Sequence, residues 1–360
     1  MRLSADDIRH LHTGSSFIAC APDPDWGYEV ADRVLAHMRD SGSAPELRAV
    51  DEFDDDALIV SMGFVNNGLP ISDLRPVGDE FTALLPLMEE ALGRPVDGIM
   101  PLAAGNVNAL LPLLVGAQTG LPVADADPMG RIFPLVEQTV FTLAGLPVGP
   151  VAASGATGES ALLRVDRPVR AERLLRALAG EYGGWAATAT YPMNAATLAR
   201  TGVIGSMSRL MRIGRILDSD LEVEQKHDAL QRTEGARRLI RARVGDVAWL
   251  ARPTLPGQDY QPAGVVLIDE AEGRIVQLEV HNELLMVMVD GSVRAAIPDI
   301  ITLLNPVDGS VVTLEDLWTG NTVDIVVTPA ADPWYTPEGL RLAGPTAFNL
   351  FERRAEGGGA

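Results

Sequence analysis

Two carboxylates and an arginine stand close together in the sequence, directly after a short apolar run. Residues 121–124 are typical of a buried strand, and Asp125 and Asp127 follow it, ahead of a turn through Gly130 and then Arg131. Loops at the carboxyl ends of strands in α/β sheets commonly carry ligand-binding groups. A carboxylate there can orient or deprotonate a water molecule, and an arginine can hold developing negative charge. The spacing therefore predicts a catalytic or binding site.

The same residues also have a purely structural interpretation. An Asp-x-Asp segment at a strand end can cap the next helix. Arg131 can then pair with one carboxylate and offset the cost of burying it. Both interpretations stay open at the level of sequence.

A second set of polar residues lies at the start of the helix predicted for residues 106–118. Gly105 is followed by Asn106 and Asn108. Asparagine at the start of a helix can cap it, or it can help to bind an anionic group there. These residues are candidates for substrate binding, with capping by Asn106 as the structural alternative.

A third polar group interrupts an apolar β-run far along the chain. His281, Asn282 and Glu283 stand between two Val/Leu-rich stretches. Burying three polar groups in a sheet costs free energy unless they meet a partner or a ligand. They form either a site or a satisfied network at the mouth of a barrel. The other histidines, His10, His12, His37 and His227, are interpreted as solvated.

Strands and helices alternate through the first 165 residues. The apolar patterns predict strands at 46–50, 57–65, 98–102, 121–124 and 147–153, with helices near 79–92, 106–118 and 134–143. Such alternation indicates parallel βαβ crossovers. We therefore expect an N-terminal three-layer α/β domain over residues 1–165.

The pattern changes in the rest of the chain. Residues 166–235 are predicted to form a helical bridge of open domain assignment. Beyond it, short apolar runs at 264–268, 275–280, 284–289, 292–297, 311–314 and 323–327 indicate strands, and Asp290-Gly291 between two of them predicts a hairpin. Residues 236–355 are thus expected to form a mainly antiparallel β-barrel-like domain.

Composition limits the classes of partner. A net charge of -20 over 360 residues argues against nucleic acid and anionic membranes, because the protein's field would repel phosphates. The single cysteine, Cys20, excludes an internal disulfide framework and a multi-thiolate zinc site. Neither a phosphate-binding glycine loop nor a nucleophile elbow is present. Without a signal-like or membrane-length apolar run, the expected location is cytoplasmic.

Several segments together carry a resemblance to a known family. They are Gly105-Asn-Val-Asn-Ala-Leu-Leu-Pro112, Gly120-Leu-Pro-Val-Ala-Asp-Ala-Asp-Pro-Met-Gly-Arg-Ile-Phe-Pro134, His281-Asn-Glu-Leu-Leu, Ile297-Pro-Asp-Ile-Ile301 and Gly344-Pro-Thr-Ala-Phe348. In this order they resemble the S-methyl-thiohydantoin desulfurase-like family, which is often encoded beside, or fused to, hydantoinase/oxoprolinase-type proteins. The likeness covers nearly the whole chain.

The resemblance implies both an architecture and a chemistry. It implies an α/β domain followed by a β-barrel-like domain, and hydrolytic removal of sulfur from a small thiohydantoin-like or hydantoin-type ring. It also implies a hydantoinase/oxoprolinase-like or paralogous protein as partner, and we expect a homo-oligomer. The cofactor is not fixed: one divalent metal ion is compatible, and Asp125 and Asp127 are its candidate ligands. Carboxylates with at most one histidine suit magnesium or manganese better than zinc.

Attack of water on the ring carbon gives each candidate residue a role. Asp125 or Asp127 would orient or deprotonate the water, directly or through a metal, while Arg131 holds the ring's oxygen, sulfur or carboxylate. His281 and Glu283 would close the pocket from the barrel domain. The residues predicted to contact substrate are Gly105, Asn106, Asn108, Gly130 and Asn282.

The chain departs from the family pattern at several positions. Ala103 and Leu135 stand where the family tends to carry glutamates, Asp73-Leu74 replaces a Glu-Lys pair, and the segment 19–24 lacks a run of glycines. If the missing groups were acids, bases or ligands, the chemistry is altered or lost. The rival functions are therefore a non-catalytic partner subunit and a small-molecule binding paralogue.

Overall fold

Two seven-stranded sheets form the framework of the chain. A computed structural model describes residues 1–19, 24–66, 75–249, 262–280 and 283–350. The predicted site residues His281 and Asn282 lie outside these ranges, as do Cys20, Asp73 and Leu74.

The helices and strands follow in chain order. The helices are α1 (Ala5–Ala19), α2 (Pro24–Ser41), α3 (Asp79–Thr82), α4 (Leu84–Leu92), α5 (Asn106–Thr119), α6 (Val140–Leu143), α7 (Pro168–Glu181), α8 (Ala195–Thr201), α9 (Ser206–Leu217), α10 (Val223–Glu234) and α11 (Pro337–Ala343). The strands are β1 (Leu47–Arg48), β2 (Leu58–Asn66), β3 (Gly98–Pro101), β4 (Val123–Ala124), β5 (Ala126–Asp127), β6 (Val151–Ser154), β7 (Ser160–Leu163), β8 (Trp185–Asn194), β9 (Val203–Ile204), β10 (Arg237–Trp249), β11 (Pro262–Asp269), β12 (Ile275–Val280), β13 (Leu284–Val289), β14 (Ser292–Ala296), β15 (Ile300–Leu304) and β16 (Thr322–Thr328).

The first sheet has the strand order β1-β4-β3-β2-β8-β6-β7. Strands β1 to β4 pair in parallel, whereas β8, β6 and β7 pair antiparallel. Alternate residues of β2 enter different cores: Val60 packs with α1, α2, α5 and α9, and Ile59 packs with α7 and α8. Since side chains alternate across a strand, helices cover both faces of the sheet. The carboxyl ends of the four parallel strands therefore meet at one edge.

The second sheet is antiparallel and has the order β14-β13-β12-β11-β10-β16-β15. Its edge strands β14 and β15 approach each other, so the sheet curls into a half-barrel. Asp290 and Gly291 both have positive φ, 47° and 74°, at the turn between β13 and β14. This geometry is that of a tight two-residue hairpin, as the Asp-Gly pair predicted.

The two domains share their apolar cores. Ile300, Leu304 and Val326 of the half-barrel pack in the same core as α1 and α9. Leu285 and Trp334 belong to the core on the other face of the first sheet. In addition, the Thr302 hydroxyl donates a hydrogen bond of 2.7 Å to the carbonyl oxygen of Phe17 at the end of α1. These contacts set the half-barrel against the first domain.

The fold class predicted from the sequence is confirmed. A three-layer α/β domain is followed by an antiparallel half-barrel. Residues 166–235 contribute β8 to the first sheet, and they place α9 against α1 and α10 against β10. No helix in the described ranges is both long and apolar enough to cross a bilayer.

The helix predicted over residues 134–143 is wrong except for its last turn. Only Val140–Leu143 is helical, and the residues between β5 and α6 form successive turns. Other segments bind the backbone there: Glu172 accepts from the amide of Val136 at 2.8 Å, and the Trp334 indole donates to the carbonyl oxygen of Met129 at 2.7 Å. Tertiary hydrogen bonds therefore replace the helical ones.

Strand prediction in the half-barrel has one error and two omissions. The strand expected at 311–314 is a single bridge from Val311 to Leu304, followed by a short 3-10 helix. Strands β10 and β15 lack counterparts among the predicted strands. In β10, buried Ile240, Ala242 and Val244 alternate with arginines, whose charge masks the period-two pattern.

The first helix, α1, continues through Gly14 to Ala19. A Cβ built on Gly14 would lie 1.9 Å from the carbonyl oxygen of Leu210 in α9. A Cβ on Gly214 would lie equally close, at 1.9 Å, to the carbonyl oxygen of His10. These glycines allow α1 and α9 to cross at backbone contact, which fixes the first helix against the rest of the chain.

Substitution of Gly14 tests this crossing. Gly14→Ala should lower the free energy of unfolding by about 1–3 kcal/mol, because the two backbones must move apart. Gly264→Ala is the control, since its Cβ would have only ordinary contact, 3.7 Å from the carbonyl oxygen of Leu278; a change within about 0.5 kcal/mol is expected. Urea unfolding measures both, and equal midpoints would contradict the close crossing.

Candidate functional site

Asp127 is the centre of the hydrogen bonding at the end of the parallel strands. Its side chain is fully buried, and Oδ2 accepts from the amides of Ala104 and Met129, both at 2.9 Å, and of Gly130 at 2.8 Å. Burial raises the pKa of Asp127 to about 6, and the backbone amides oppose that rise. The carboxylate therefore joins the loop before α5 to the turn after β5.

Asp125 binds a different part of the chain. Its carboxylate accepts from the amide of Ser208 at 2.9 Å and from the Ser208 hydroxyl. Its carbonyl oxygen accepts from the amide of Gly205 at 2.7 Å. Asp125 thus holds the first turn of α9, while Asp127 binds the loops on the other side. The catalytic roles of the two acids stay predictions.

Arg131 is buried between the two domains, with only 2% of its surface exposed. Its guanidinium donates to Glu283 and to the carbonyl oxygens of Pro298, Asp299 and Ile132, the last two at 3.1 Å. Glu283, Pro298 and Asp299 all belong to the second domain. Arg131 therefore connects the strand-end turn of the first domain to the half-barrel.

Glu283 is buried together with its partner. One oxygen, Oε2, accepts from Arg131, whereas Oε1 has no hydrogen-bond partner in the part of the chain that the structure describes. Burial raises the pKa of Glu283 even though the Arg131 charge lowers it. A buried carboxylate with a raised pKa and an unengaged oxygen has the properties of a proton acceptor.

Two aromatic rings support this ion pair. The Arg131 guanidinium lies 4.4 Å above the centre of the Phe133 ring, and Phe133 packs edge-on against Trp334 at 4.6 Å. Because aromatic faces attract cations, the ring offsets part of the cost of burying the guanidinium. The turn that carries Arg131 is thereby held in one conformation.

The predicted substrate-binding asparagines begin α5. Asn106 has φ 50°, in the left-handed region, and its Oδ1 accepts from the amide of Val107 at 2.7 Å. Asn108 is buried, and its Oδ1 accepts from the amide of Phe64 at 3.1 Å. Neither is the N-cap residue, which is Gly105. Asn108 thus ties α5 to β2, and its part in binding substrate stays a prediction.

The loop before α5 lies against the turn that carries Arg131. A Cβ built on Gly105 would lie 3.5 Å from the Cβ of Ile132 and 3.5 Å from a methyl carbon of Ile18. Gly105, Asn106, Asp127, Gly130 and Arg131 therefore belong to one neighbourhood. The structure joins Glu283 to it through Arg131 and directs Asp125 away from it, toward α9.

Several contact residues were not found from the sequence. Pro298 and Asp299 act through backbone oxygens, which no residue pattern reveals. His12 was interpreted as solvated, yet it is half-buried and lies at helical spacing from buried Ile8 and Ser15. That spacing was the available signal for an inward-facing side chain. His227 likewise is buried, 3.0 Å from Asp324.

The described residues do not fit a divalent metal ion. Among them, no three histidine, cysteine, aspartate or glutamate side chains are grouped so that they could hold one. The candidate ligands Asp125 and Asp127 both use their oxygens to accept protein N–H groups. No step of the chemistry proposed below passes through a metal.

A cavity of about 440 Å³ lies elsewhere, near the amino ends of β2 and β3. Its lining includes Arg48, Phe53, Arg94 and Asp97. Both arginines of the lining are already engaged: Arg48 lies over the Phe53 ring, and Arg94 pairs with Asp97 at 3.0 Å. This cavity contains none of the predicted site residues, so the strand-end neighbourhood remains the candidate site.

Comparison with known proteins supports the family assignment. Residues 6–165 match the S-Me-THD-like N-terminal domain, and residues 166–355 match the S-Me-THD-like C-terminal domain. No curated protein matches the chain. A crystal structure of a protein from Chromobacterium violaceum is similar in fold, with 23% sequence identity, a TM-score of 0.79, and coverage of 98% of this chain and 97% of that one. The chain therefore belongs to the S-methyl-thiohydantoin desulfurase-like family.

Proposed function

We propose that the protein hydrolyses a five-membered thiohydantoin or hydantoin-type ring at the junction of its two domains. The observation that carries this proposal is the buried pair of Arg131 and Glu283, in which Glu283 keeps one oxygen without a partner in the described chain. The family to which the chain belongs supplies the substrate class. The reaction is attack of water on a ring carbon, which in a thiohydantoin is the carbon that bears sulfur.

Glu283 is the proposed general base. It accepts a proton from the attacking water as the oxygen bonds to the ring carbon. The bond from that carbon to sulfur then breaks, and the sulfur leaves as a thiol or sulfide that carries the proton Glu283 gives back. Arg131 holds Glu283 in place from one side, which leaves the other oxygen to face the water.

The remaining residues bind and position. Asn106, the loop at Gly105 and the turn at Gly130 contact the ring in this proposal, since they lie at or beside the turn that carries Arg131. Asp127 fixes those two loops together and orients the water. His281 and Asn282, next to Glu283 in the sequence, lie outside the described residues, and their roles stay predictions.

A partner subunit without catalysis is the second candidate. Ala103 and Leu135 supply no carboxylate at positions where the family tends to carry one, and Ala103 is buried among apolar residues. A chain of this kind would bind a ring and a hydantoinase-like protein without turning the ring over. Failure to stay soluble until a partner is co-expressed would favour this function, whereas ligand-induced thermal stabilisation without turnover would favour a small-molecule binding paralogue.

Replacement of the proposed base gives the most direct test. Glu283→Gln should reduce kcat at least about 100-fold, the usual contribution of a general base, while Gln still accepts a hydrogen bond from Arg131. Glu272→Gln, at an exposed glutamate in the same domain, is the matched control and should leave kcat unchanged. Release of thiol from an S-methyl-thiohydantoin measures turnover, and equal rates for both variants would exclude Glu283.

The raised pKa of Glu283 predicts a pH dependence. The base must be ionised, so kcat/KM should fall at low pH with a midpoint above 4.5, the ordinary value for glutamate. The fall should disappear in Glu283→Gln, leaving a low, flat rate. A pH profile of kcat/KM is the measurement, and a midpoint at or below 4.5 in the wild type would contradict the assignment.

Asp127→Asn separates structural from catalytic roles of the strand-end acid. Because the folded pKa of about 6 exceeds the ordinary 3.8, the contribution of Asp127 to stability is present below pH 4 and is lost as pH rises through 6. The wild type should therefore lose roughly 2 kcal/mol relative to the variant between pH 4 and pH 7. Urea unfolding at both values tests this. Unchanged turnover would exclude Asp127 as a base.

A further inference from the structure

A polar corner lies on the first domain's side of the same site. His12 of α1, Gly27 of α2 and Asn106 of α5 meet there. A Cβ built on Gly27 would lie 3.6 Å from His12 Nε2 and 3.6 Å from Asn106 Oδ1. The missing side chain of Gly27 is therefore what leaves space between the imidazole and the amide.

The hydrogen-bonding groups of this corner are not used by the described part of the chain. The His12 ring contacts Tyr28 edge-on at 5.8 Å, but neither of its nitrogens has a hydrogen-bond partner among the described residues. Asn106 uses Oδ1 to accept from Val107, which leaves its NH₂ group as a donor. The corner thus offers one imidazole and one amide donor to a ligand.

Burial keeps His12 in its neutral form near pH 7. It lowers the pKa of His12 below the usual 6.5, although the negative charges of Asp218 and Asp32 oppose the shift. A neutral imidazole carries one nitrogen that can accept a hydrogen bond. The Asn106 atom nearest Gly27 is Oδ1, and the NH₂ donor is bonded to the same carbon atom. The imidazole and this amide together complement a group that presents a donor and an acceptor side by side.

We infer that His12 and Asn106 bind the N–H and C=O edge of the substrate ring, with Gly27 providing the space for it. His12 accepts from a ring N–H, and the Asn106 amide donates to the adjacent ring carbonyl oxygen. Both are positioning residues. The inference rests on the proposed function for the identity of the ring, and it adds the requirement that one ring nitrogen carry a hydrogen.

Asn106 connects this corner to the proposed base. It follows Gly105, whose position lies 3.5 Å from Ile132, and Ile132 follows Arg131 in the sequence. A ring held by its amide edge at His12 and Asn106 would extend from α5 toward the turn that carries Arg131. The ion pair and the polar corner would then bind different parts of one small molecule.

Gly27→Ala is the main test, because the change should block the ring without harming the fold. The new Cβ would have only ordinary contacts with His12 and Asn106, and alanine favours a helix interior over glycine. We expect unchanged or higher thermal stability, a KM raised about tenfold or more, as for loss of a neutral hydrogen bond, and little change in kcat.

His12→Gln and His10→Gln form a matched pair on the same helix. His12→Gln should raise KM about tenfold. His10, whose Nδ1 lies 2.7 Å from Asp218, should be replaceable without effect on KM. Equal KM values for the wild type, Gly27→Ala and His12→Gln in an active enzyme would overturn the inference and leave the proposed function standing.

Binding of inactive probes separates the two proposals. Calorimetry with hydantoin, 1-methylhydantoin and 3-methylhydantoin asks whether a ring N–H is required. The inference expects one of the two methyl groups to weaken binding to the wild type at least tenfold, and Gly27→Ala to weaken binding of hydantoin itself. This pattern without turnover would support the corner and reject the hydrolase. Equal binding of the three rings, or no binding of hydantoin, would overturn the inference.

Discussion

The buried contact between Arg131 and Glu283 is the constraint on which the junction of the two domains depends. Moving both charges out of water costs several kcal/mol for each, and their attraction recovers that cost only if the remaining donors and acceptors are satisfied. Arg131 meets this condition through the carbonyl oxygens of Pro298, Asp299 and Ile132. Glu283 does not meet it with Oε1 in the described chain. The part of the burial cost that is not compensated therefore lies at Glu283, the proposed general base.

Asp127 illustrates the opposite balance, close to Arg131 in the sequence. It is as deeply buried as Glu283, yet three backbone amides compensate part of the cost of burying its charge, and those hydrogen bonds join two loops. The positive φ of Gly130, 65°, lets the turn bring its amide back onto the carboxylate. Because this turn is held in place, the direction of the Arg131 side chain is also set. Asp127 therefore positions Arg131, and Arg131 in its turn orients Glu283, the proposed general base.

Local patterns in the sequence identified the sheets and most of the elements, because apolar periodicity reports burial directly. The strand pattern of β12 and β13 and the Asp-Gly hairpin are examples. The sequence could not reveal that the turns after Asp127 bind Glu172 and Trp334 instead of forming a helix, since those partners are distant in the chain. For the same reason it named Arg131 and Glu283 separately without the contact between them. The sequence also could not show that the Asp125 carboxylate points toward α9, because tertiary packing sets that direction.

The site cannot belong to either domain alone. Its proposed base and two of the carbonyl oxygens that hold Arg131 come from the half-barrel, while Arg131, Asp127 and the loop before α5 come from the first domain. The sheets enforce this arrangement, because β8, from the part of the chain that matches the C-terminal family domain, pairs along β2 within the first sheet. Parting the domains would break the contact between Arg131 and Glu283 and would expose the apolar core that the two domains share. This free-energy cost keeps the two domains together. A ligand must therefore fit a junction whose shape is already set before it binds.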